Sequence, residues 1–556
     1  MLPDDILLII FRHHLDATPQ RWSILTHICR RWQQVIMKSP LGLRLRLYCT
    51  YGTPVLKTLD CWPPLPLVIN YGGSPMLSPP DPEDEDNIIA AFKQSDRVKS
   101  INLTLTNSLL QKLSTISEPF AELEKLVLLS QDKLRLPLPG AFGWGECVRT
   151  LHVTGIAIPT LPRLLSSSTD LVDLQLHEIP MAGYLSPQEF ANALSGASHL
   201  RSLSLHFHSF PPRRNYVGLP PAPFLRVVLP ALTCFKYRGI GRYLDNFVAR
   251  IDAPRLQDID ITFFNQPTIE ASQLGQFIER IGLKTALTEA GIQASARAIS
   301  ISFKIPSTCT RLRLQIPSKQ LDWQLSSMAQ VCDQLSPLAF GVLQLVFDTN
   351  GWSSGQDDVH GEQYLQLIRP FCSARNILIT GELTTDILYA LRPADDGCST
   401  DTPLSSLRNL RIYKPMPLDW PFWDAAQSLI TSRPSCPLQF VCRMCDTGFT
   451  LQQLQEHFVL WHAYRMVCSY CDDFQPFQPS SWSASSLASP WSASSWSTSA
   501  FSAGNIDKFQ KHLRNQHPEV TQTDELISQR SFTLTPLQIH ALTNRHSSLR
   551  EHPRPQ

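Results

Sequence analysis

Residues 148–177 read VRTLHVTGIAIPTLPRLLSSSTDLVDLQLH and contain the pattern that decides the fold. One spacing, apolar-x-x-apolar-x-apolar, occurs twice in this stretch, as Val148/Leu151/Val153 and Leu171/Leu174/Leu176. The last two apolar residues of each hexad alternate with polar residues, as on a strand with one buried face. The helix-compatible segment LPRLLSS separates the hexads. The stretch therefore predicts a strand followed by a helix, and then a second strand.

The same hexad recurs along the chain before and after this stretch. The further copies are Val98/Ile101/Leu103, Leu123/Leu126/Leu128, Leu200/Leu203/Leu205, Leu232/Phe235/Tyr237, Leu256/Ile259/Ile261, Ala296/Ile299/Ile301, Phe340/Leu343/Leu345, Ala374/Ile377/Ile379 and Leu407/Leu410/Ile412. Subtracting successive first positions gives spacings of 25, 25, 23, 29, 32, 24, 40, 44, 34 and 33 residues. The early values lie near the period of about 20–29 residues that is typical of leucine-rich repeats. The later values predict longer helices or inserted loops.

Each predicted unit has an apolar face that only neighbouring units can bury, so the units should stack with their strands parallel. The polar residues between the apolar ones would then line a concave outer surface, where such solenoids usually bind partners. They are Asn102, Thr104, His152, Gln175, Ser204, His206 and Asp260.

The hexads resemble irregular leucine-rich repeats, although they lack the Asn that regular repeats place after the strand. This resemblance implies an α/β fold with a solenoid-like repeat domain. An unrelated α/β domain with several parallel strands is the alternative. A dinucleotide-binding sheet is not expected, because no Gly-rich phosphate turn follows any predicted strand.

Residues 2–47 predict a small helical module. Pro3, Asp4 and Asp5 suit the first turn of a helix, where the missing N–H of proline costs nothing and acids complement the helix dipole. Helical apolar spacing follows in two segments, at Ile6/Leu7/Ile10/Phe11/Leu15 and at Leu25/Ile28/Cys29/Trp32/Ile36. So small a module gains stability by packing against a partner.

This segment resembles the F-box, with matches at Leu2, Pro3, Asp5, Ile6, Leu7, Ile10, Phe11, Leu25, Cys29, Arg30, Trp32 and Pro40. The resemblance implies a three-helix domain that docks on the Skp-type adaptor of an SCF (cullin–RING) ubiquitin ligase. The implied adaptor-binding residues are Leu2, Pro3, Ile6, Leu7, Ile10, Phe11, Leu25, Cys29 and Trp32. Leu41-Gly42 stands where the family often has Leu-Trp. A helical hairpin that only caps the repeat domain is the alternative.

Near the C-terminus two sets of cysteines and histidines have the spacing of metal ligands. Cys442 and Cys445 precede His457 and His462, and a second set follows at Cys468, Cys471, His512 and His517. Two thiolates from a CxxC turn and two imidazoles on one helix face complete a closed tetrahedral site. Such a site supplies much of the folding energy of so small a fold.

Both sets resemble C₂H₂ zinc fingers, which implies small ββα modules and structural Zn²⁺ as the cofactor. The second set would contain a Ser-rich insertion, residues 479–504. A single Cys₄ site formed by Cys442, Cys445, Cys468 and Cys471 is the alternative. The predicted first helix carries no Lys or Arg, so we expect protein binding or a structural role rather than DNA reading. The second offers Lys508, Lys511 and Arg514.

Composition and motifs restrict the function further. The net charge is +1, so no global field attracts nucleic acid or acidic membranes. No stretch has the roughly 18 unbroken apolar residues of a membrane helix, and the N-terminus does not have the pattern of a signal peptide. Scattered single cysteines fit a reducing compartment. We therefore expect an intracellular protein, in the cytoplasm, the nucleus or both. No nucleophile elbow, phosphate loop or catalytic zinc motif occurs, so we expect no enzyme.

These patterns predict five segments: an F-box-like domain at 1–47, a Pro-rich connector at 48–95, a repeat domain at 96–435, a zinc-binding segment at 436–520 and a loosely ordered tail at 521–556. The predicted function is recruitment of a target protein, whose identity the sequence does not encode, to the ligase. A zinc-finger regulator that contacts nucleic acid is the alternative. The motif begins at the second residue, so the sequence also allows a segment upstream of Met1.

Overall fold

The computed structural model describes residues 2–18, 21–53, 55–62, 64–72, 80–113, 118–130, 138, 147–208, 225–266, 268–282, 288–304, 310–318, 320–349, 361–381, 383–392, 404–413, 420–433, 438–441, 448–450 and 453. These residues belong to two units. The first comprises Met1–Arg411 with Ser435–Pro437, and the second comprises Ile412–Pro434 with Leu438–Gln556.

The helices, in chain order, are α1 (Asp4–Ala17), α2 (Trp22–Thr26), α3 (Arg30–Lys38), α4 (Val55–Cys61), α5 (Pro82–Phe92), α6 (Asn107–Leu113), α7 (Leu161–Ser167), α8 (Pro187–Ala193), α9 (Gly241–Val248), α10 (Ser272–Arg280), α11 (Leu321–Gln334), α12 (Ser336–Ala339), α13 (Gly361–Ile368), α14 (Thr384–Ala390) and α15 (Trp420–Ser432). The strands are β1 (Leu47–Cys49), β2 (Leu67–Tyr71), β3 (Val98–Leu105), β4 (Lys125–Ser130), β5 (Thr150–Thr154), β6 (Asp173–Ile179), β7 (Ser202–Phe207), β8 (Val227–Val228), β9 (Cys234–Gly239), β10 (Ile251–Asp252), β11 (Asp258–Phe263), β12 (Glu289–Ser295), β13 (Ala298–Lys304), β14 (Arg311–Pro317), β15 (Gln344–Thr349), β16 (Asn376–Gly381), β17 (Asn409–Tyr413), β18 (Leu438–Val441) and β19 (Gly448–Phe449).

A large sheet organises the first unit. From β1 to β7 each strand pairs in parallel with the next strand along the chain, and β9 and β11 continue the series. The short strands β8 and β10 form a separate parallel pair. Helices or loops connect the parallel strands, as parallel pairing requires. The prediction of an α/β fold is confirmed, and the serial strand–helix order is consistent with a leucine-rich-repeat-like arrangement.

The serial order is interrupted after β11. The next neighbour of β11 in the sheet is β14, and β14, β13 and β12 follow one another as an antiparallel meander. Parallel pairing then resumes with β12–β15 and β15–β16. The hexad Ala296/Ile299/Ile301 therefore lies on an antiparallel strand rather than on a repeat strand. A period of two residues is common to both strand directions, so the pattern alone does not distinguish them.

The core lies on one face of this sheet. The last two apolar residues of the hexads on β3–β7, β9, β11 and β16 are at most 5% exposed. The residues between them are half-buried or exposed, apart from Ser204. Helix α5 contacts β1 and β2, α9 contacts β9, and α14 contacts β16. Apolar burial between strands and helices therefore holds the unit together.

At β15 the inward residues differ from the predicted hexad. Phe340 and Leu343 are 55% and 39% exposed, whereas Val342, Leu345 and Phe347 are buried. The apolar-x-x-apolar-x-apolar spacing fits both sets, which are shifted by two residues. Burial thus selects the second.

Residues 48–95 add two strand–helix units to the sheet. Strand β2 pairs with both β1 and β3. The acidic residues of the segment 81–86 cap and begin α5. The side chain of Asp81 accepts a hydrogen bond from the N–H of Asp84 at 2.8 Å. Glu85, which is 6% exposed, accepts hydrogen bonds from Thr106 and Ser108 and pairs with Lys112 at 3.0 Å. The first turn of α5 is therefore connected to α6 and to the residue before it.

The N-terminus of α10 is capped by side chains of other helices. The buried carboxylate of Asp245, on α9, accepts hydrogen bonds from the N–H groups of Gln273 and Leu274 at 2.7 and 3.0 Å. The amide of Gln334, on α11, accepts from the N–H of Ala271 at 2.6 Å and donates to the carbonyl of Ile269 at 2.6 Å. The free N–H groups of this helix end are therefore satisfied by its neighbours.

The second unit contains α15 and a short antiparallel hairpin. Strands β18 and β19 pair through Phe440↔Phe449 and Val441↔Gly448. In the part of the chain that the structure describes, no helix is both long enough and apolar enough to span a membrane.

We predict that Asp245→Ala lowers the free energy of unfolding by about 1–3 kcal/mol, because it leaves buried N–H groups of α10 without an acceptor. Asp245→Asn keeps one acceptor oxygen and should lose less. Urea unfolding of the full chain measures both effects. Asp170→Ala, at an exposed acid, is the control and should change stability by less than about 0.5 kcal/mol. Equal midpoints for Asp245→Ala and the control would contradict the capping role.

Candidate functional site

Helix α1 has apolar residues on two faces with different environments. Leu7, Phe11 and Leu15 are buried. Leu2, just before the helix, is 52% exposed, and along the helix Ile6, Ile9 and Ile10 are 38%, 63% and 45% exposed. Residues spaced three and four apart lie on the same helix face, so these side chains form one exposed stripe. We name the set Leu2, Ile6, Ile9 and Ile10 the apolar stripe.

Contacts among α1, α2 and α3 hold the apolar stripe in place. The ring of Phe11 packs edge-on against Trp32 of α3, with centroids 4.8 Å apart. Arg31 of α3 pairs with Asp4 at 2.7 Å and also donates to the carbonyl of Leu2. The indole N–H of Trp22, on α2, donates to the carbonyl of Arg46 at 2.7 Å, directly before β1. The three helices therefore form one packed module that is anchored to the sheet.

The predicted adaptor-binding residues divide into two groups in this module. Leu7, Phe11 and Leu25 are at most 8% exposed, and Trp32 is half-buried. Leu2, Pro3, Ile6, Ile10 and Cys29 are exposed. Cys29 also caps α3, because its sulfur accepts from the N–H of Trp32 at 3.5 Å. The first group stabilises the module, and the second is available to a partner.

The predicted adaptor-binding set lacks Ile9, Ile24 and Ile28. Ile24 and Ile28 are 56% and 55% exposed in the structure, like Ile9 of the apolar stripe. Ile9 is apolar but lies away from the predicted buried face of its helix. This mismatch in the sequence indicates an exposed apolar side chain.

A second surface is the face of the large sheet opposite the buried hexad residues, which we name the open face. Polar side chains contact one another across its strands. The amide of Asn102 donates to Asn70 on the preceding strand at 2.9 Å. On β5 and β6, the ring of His152 lies 2.6 Å from a carboxylate oxygen of Asp173. The residues that the sequence predicted for this surface do lie between the buried positions of their strands.

Two histidines stack at the centre of the open face. The rings of His177 on β6 and His206 on β7 are 4.2 Å apart and nearly parallel, at 8°. The hydroxyl of Ser204 lies between them, 2.9 Å from His177 Nε2 and 3.4 Å from His206 Nε2. The register of β6 against β7 shifts here, and Glu178 has a φ of 50°. His177 and His206 each follow the paired residues Leu176↔Leu205, so the register places the two rings side by side on neighbouring strands.

The electrostatics of this group keep the stacked histidines neutral. Burial and the charge of His152 lower the pKa of His177. Burial, together with His177, Arg238 and Lys236, lowers the pKa of His206 to about 4. Burial works to raise the pKa of Asp173, but hydrogen bonds, that from His152 first, outweigh it and hold the pKa below its ordinary value. Asp173 pairs with His152, so it does not orient either ring beside Ser204.

The predicted zinc ligands Cys442, Cys445, His457, His462, Cys468, Cys471, His512 and His517 lie outside the described residues. Among the residues that are described, no group of three or more His, Cys, Asp or Glu side chains is arranged to hold a metal ion. The hairpin of β18 and β19 brackets residues 442–447. Directly after it, Thr450 and Gln453 exchange hydrogen bonds between side chain and backbone at 3.0 and 3.3 Å. This exchange has the form of a capping box.

Comparisons with known proteins give few matches. No protein-family model and no curated protein matches the chain. Among solved structures 15 chains match. One is the leucine-rich repeat-containing protein LegL7 from Legionella pneumophila, at 13% sequence identity and a TM-score of 0.23, with 73% of this chain and 92% of that chain covered. The fold stated above rests on the pairing of the strands.

We predict that stability falls as the pH drops from about 6.5 towards about 4. His206 binds a proton near pH 6.5 in the unfolded chain, but only near pH 4 in the folded chain, so acid favours unfolding across that window. Urea midpoints measured across this window should fall less for His206→Gln than for the native chain. His208→Gln, at an exposed histidine, is the control. Parallel pH profiles for the native chain and His206→Gln would rule out this role.

Proposed function

We propose that the chain is a non-catalytic recruitment subunit of an SCF-type (cullin–RING) ubiquitin ligase. In this proposal α1–α3 bind the Skp-type adaptor, and the repeat sheet or the zinc-binding segment binds a target protein. The observation that carries the proposal is the apolar stripe, exposed on a module whose other apolar face is already buried.

The environment of the stripe supports a protein partner. An exposed isoleucine is ordinary on its own, but several adjacent ones on one helix mark an interaction site. Transfer of apolar surface from water stabilises a complex by about 25 cal/mol per Å² before the costs of association. Asp4 and Arg31 lie beside the stripe and are paired with each other, so these two charges need no partner from the bound protein. These features support docking of another polypeptide on α1.

The open face supports the target-binding half of the proposal. Nine strands, β1–β7, β9 and β11, follow one another in parallel along this face. Its exposed side chains are not part of the core. Repeat folds commonly use such a face to bind proteins, because side chains there vary without loss of stability. In the proposal the chemistry of ubiquitin transfer belongs to other subunits.

We also propose that structural Zn²⁺ is bound near the C-terminus. Two observations support this proposal. The paired strands β18 and β19 flank Cys442 and Cys445 in the sequence, and the capping box at Thr450 follows them. A hairpin with a CxxC turn and then a helix is the order of a ββα zinc finger. Cys442, Cys445, His457 and His462 would form the first site, and Cys468, Cys471, His512 and His517 the second.

We predict that Ile9→Asp combined with Ile10→Asp weakens binding to the Skp-type adaptor at least roughly 30-fold, or by about 2 kcal/mol, because each carboxylate must be desolvated in an apolar interface. Both side chains are exposed, so the folded chain should be retained. Co-purification and titration with purified adaptor measure the effect.

Met181→Asp, at another exposed apolar position outside α1–α3, is the matched control and should bind as the native chain does. If the folded double variant also bound the adaptor with native affinity, the adaptor-docking proposal would be wrong. Variants of Leu7 or Phe11 are unsuitable, because both residues belong to the core of the module.

We predict that the purified chain contains one zinc ion for each four-ligand set, measured by elemental mass spectrometry. His457→Ala should remove one ion if Cys442 and Cys445 pair with histidines, but none if the four cysteines share a site. Cys147→Ser, at an exposed cysteine outside the motif, is the control. A zinc-free chain, prepared without chelators, would eliminate the metal from the proposal.

A further inference from the structure

The open face contains a cationic pocket of about 310 Å³ where β7, β9, β11 and β14 lie side by side. Its polar lining comprises His206, Lys236, Arg238, Asp260, Thr262 and Gln315. Lys236 and Arg238 are exposed. Arg313 lies at the rim, since it pairs in register with Asp260 on the neighbouring strand.

The charges around this pocket do not balance. Arg311 and Asp258 neutralise each other across β14 and β11, at 3.3 Å. In the described part of the chain, Lys236, Arg238 and Arg313 make no hydrogen bond or ion pair through their side chains. Asp260 is the one carboxylate in the described lining. Three cations therefore face one acid.

The field of these cations acts on neighbouring groups. Lys236 and Arg238 contribute to the lowered pKa of His206, after burial and His177. Lys236 also contributes to the lowered pKa of His177. Cations that make a proton unfavourable at two imidazoles make an anion favourable at the same place.

We propose that the cationic pocket binds an acidic, extended peptide segment of a target protein. This inference rests on the proposed function, in which the repeat sheet holds a target. Carboxylates of the segment pair with Lys236, Arg238 and Arg313, while Thr262 and Gln315 offer hydrogen bonds to its backbone or side chains.

The spacing of the cations sets the spacing of the acids. Lys236 is in register with Asp260, and Asp260 is in register with Arg313, so the two cations are two strands apart. Neighbouring strands lie about 4.8 Å apart, which separates these positions by roughly 9.6 Å. In a polyproline II segment residues i and i+3 lie on one side and about 9.3 Å apart. Acids at every third position therefore match the pocket.

The test is fluorescence anisotropy of the full chain with a labelled Gly/Ser/Pro peptide that carries Glu at every third position. We expect binding that weakens with added salt, and no binding of the same peptide with Gln in place of Glu. Lys236→Glu combined with Arg238→Glu should lower the affinity at least about tenfold. Arg163→Glu combined with Arg255→Glu, an equal charge change at exposed positions away from the pocket, should stay within about twofold.

Other results would overturn the inference. Equal binding of the Gln peptide, or equal loss in both charge variants, would mean that no specific acidic site exists. Stronger binding of a single-stranded oligonucleotide that displaces the peptide would assign the pocket to nucleic acid. The assay contains no adaptor, and Ile9→Asp with Ile10→Asp must leave peptide binding unchanged. Failure of this inference and failure of the ligase proposal are therefore separate results.

Discussion

Two apolar side chains on each repeat strand are buried against the strands and helices of adjacent units, and the rest of the first unit depends on this burial. Ile101 and Leu103 on β3, or Ile259 and Ile261 on β11, have no exposed surface. No single strand–helix pair covers such residues alone, so each unit stabilises the next. The ties between units follow the same rule, as Asp245 of α9 shows at the start of α10. The polar residues on the opposite side of the described repeat strands are mostly half-buried or exposed, and the core does not require them.

In the N-terminal module, helix α1 has both buried and exposed apolar side chains. Phe11 packs against Trp32 of α3, whereas Ile9 and Ile10 are exposed. Because the module is also anchored to the sheet through Trp22, a partner bound at α1 is held in a defined place relative to the first strands. Such a connection fits the proposed role, in which the chain brings two other proteins together.

Much of the repeat architecture could be predicted from sequence, because apolar spacing reports which strand residues are buried. The spacing was right for the strands from β3 to β7. It could not give the antiparallel direction of β13, and at β15 it matched two frames, of which only packing selects Val342. On α1, helical periodicity placed Ile6 and Leu7 on one apolar face. Burial in the structure separates them, because Leu7 packs inside the module and Ile6 is exposed. The stacking of His177 on His206 depends on the register between β6 and β7, which a local sequence pattern does not give.

The meander after β11 affects how the chain is made. A nascent protein emerges from the ribosome N-terminus first, at about 5–20 residues per second. Up to β11 each strand that belongs to the large sheet can join it as soon as it appears. The partner of Asp258 on the next strand is Arg311, 53 residues later, so the edge of β11 waits roughly 3–10 s for its cover. An uncovered parallel edge invites pairing with other chains. Until β14 has been made, the edge of β11 is therefore open to such pairing during synthesis.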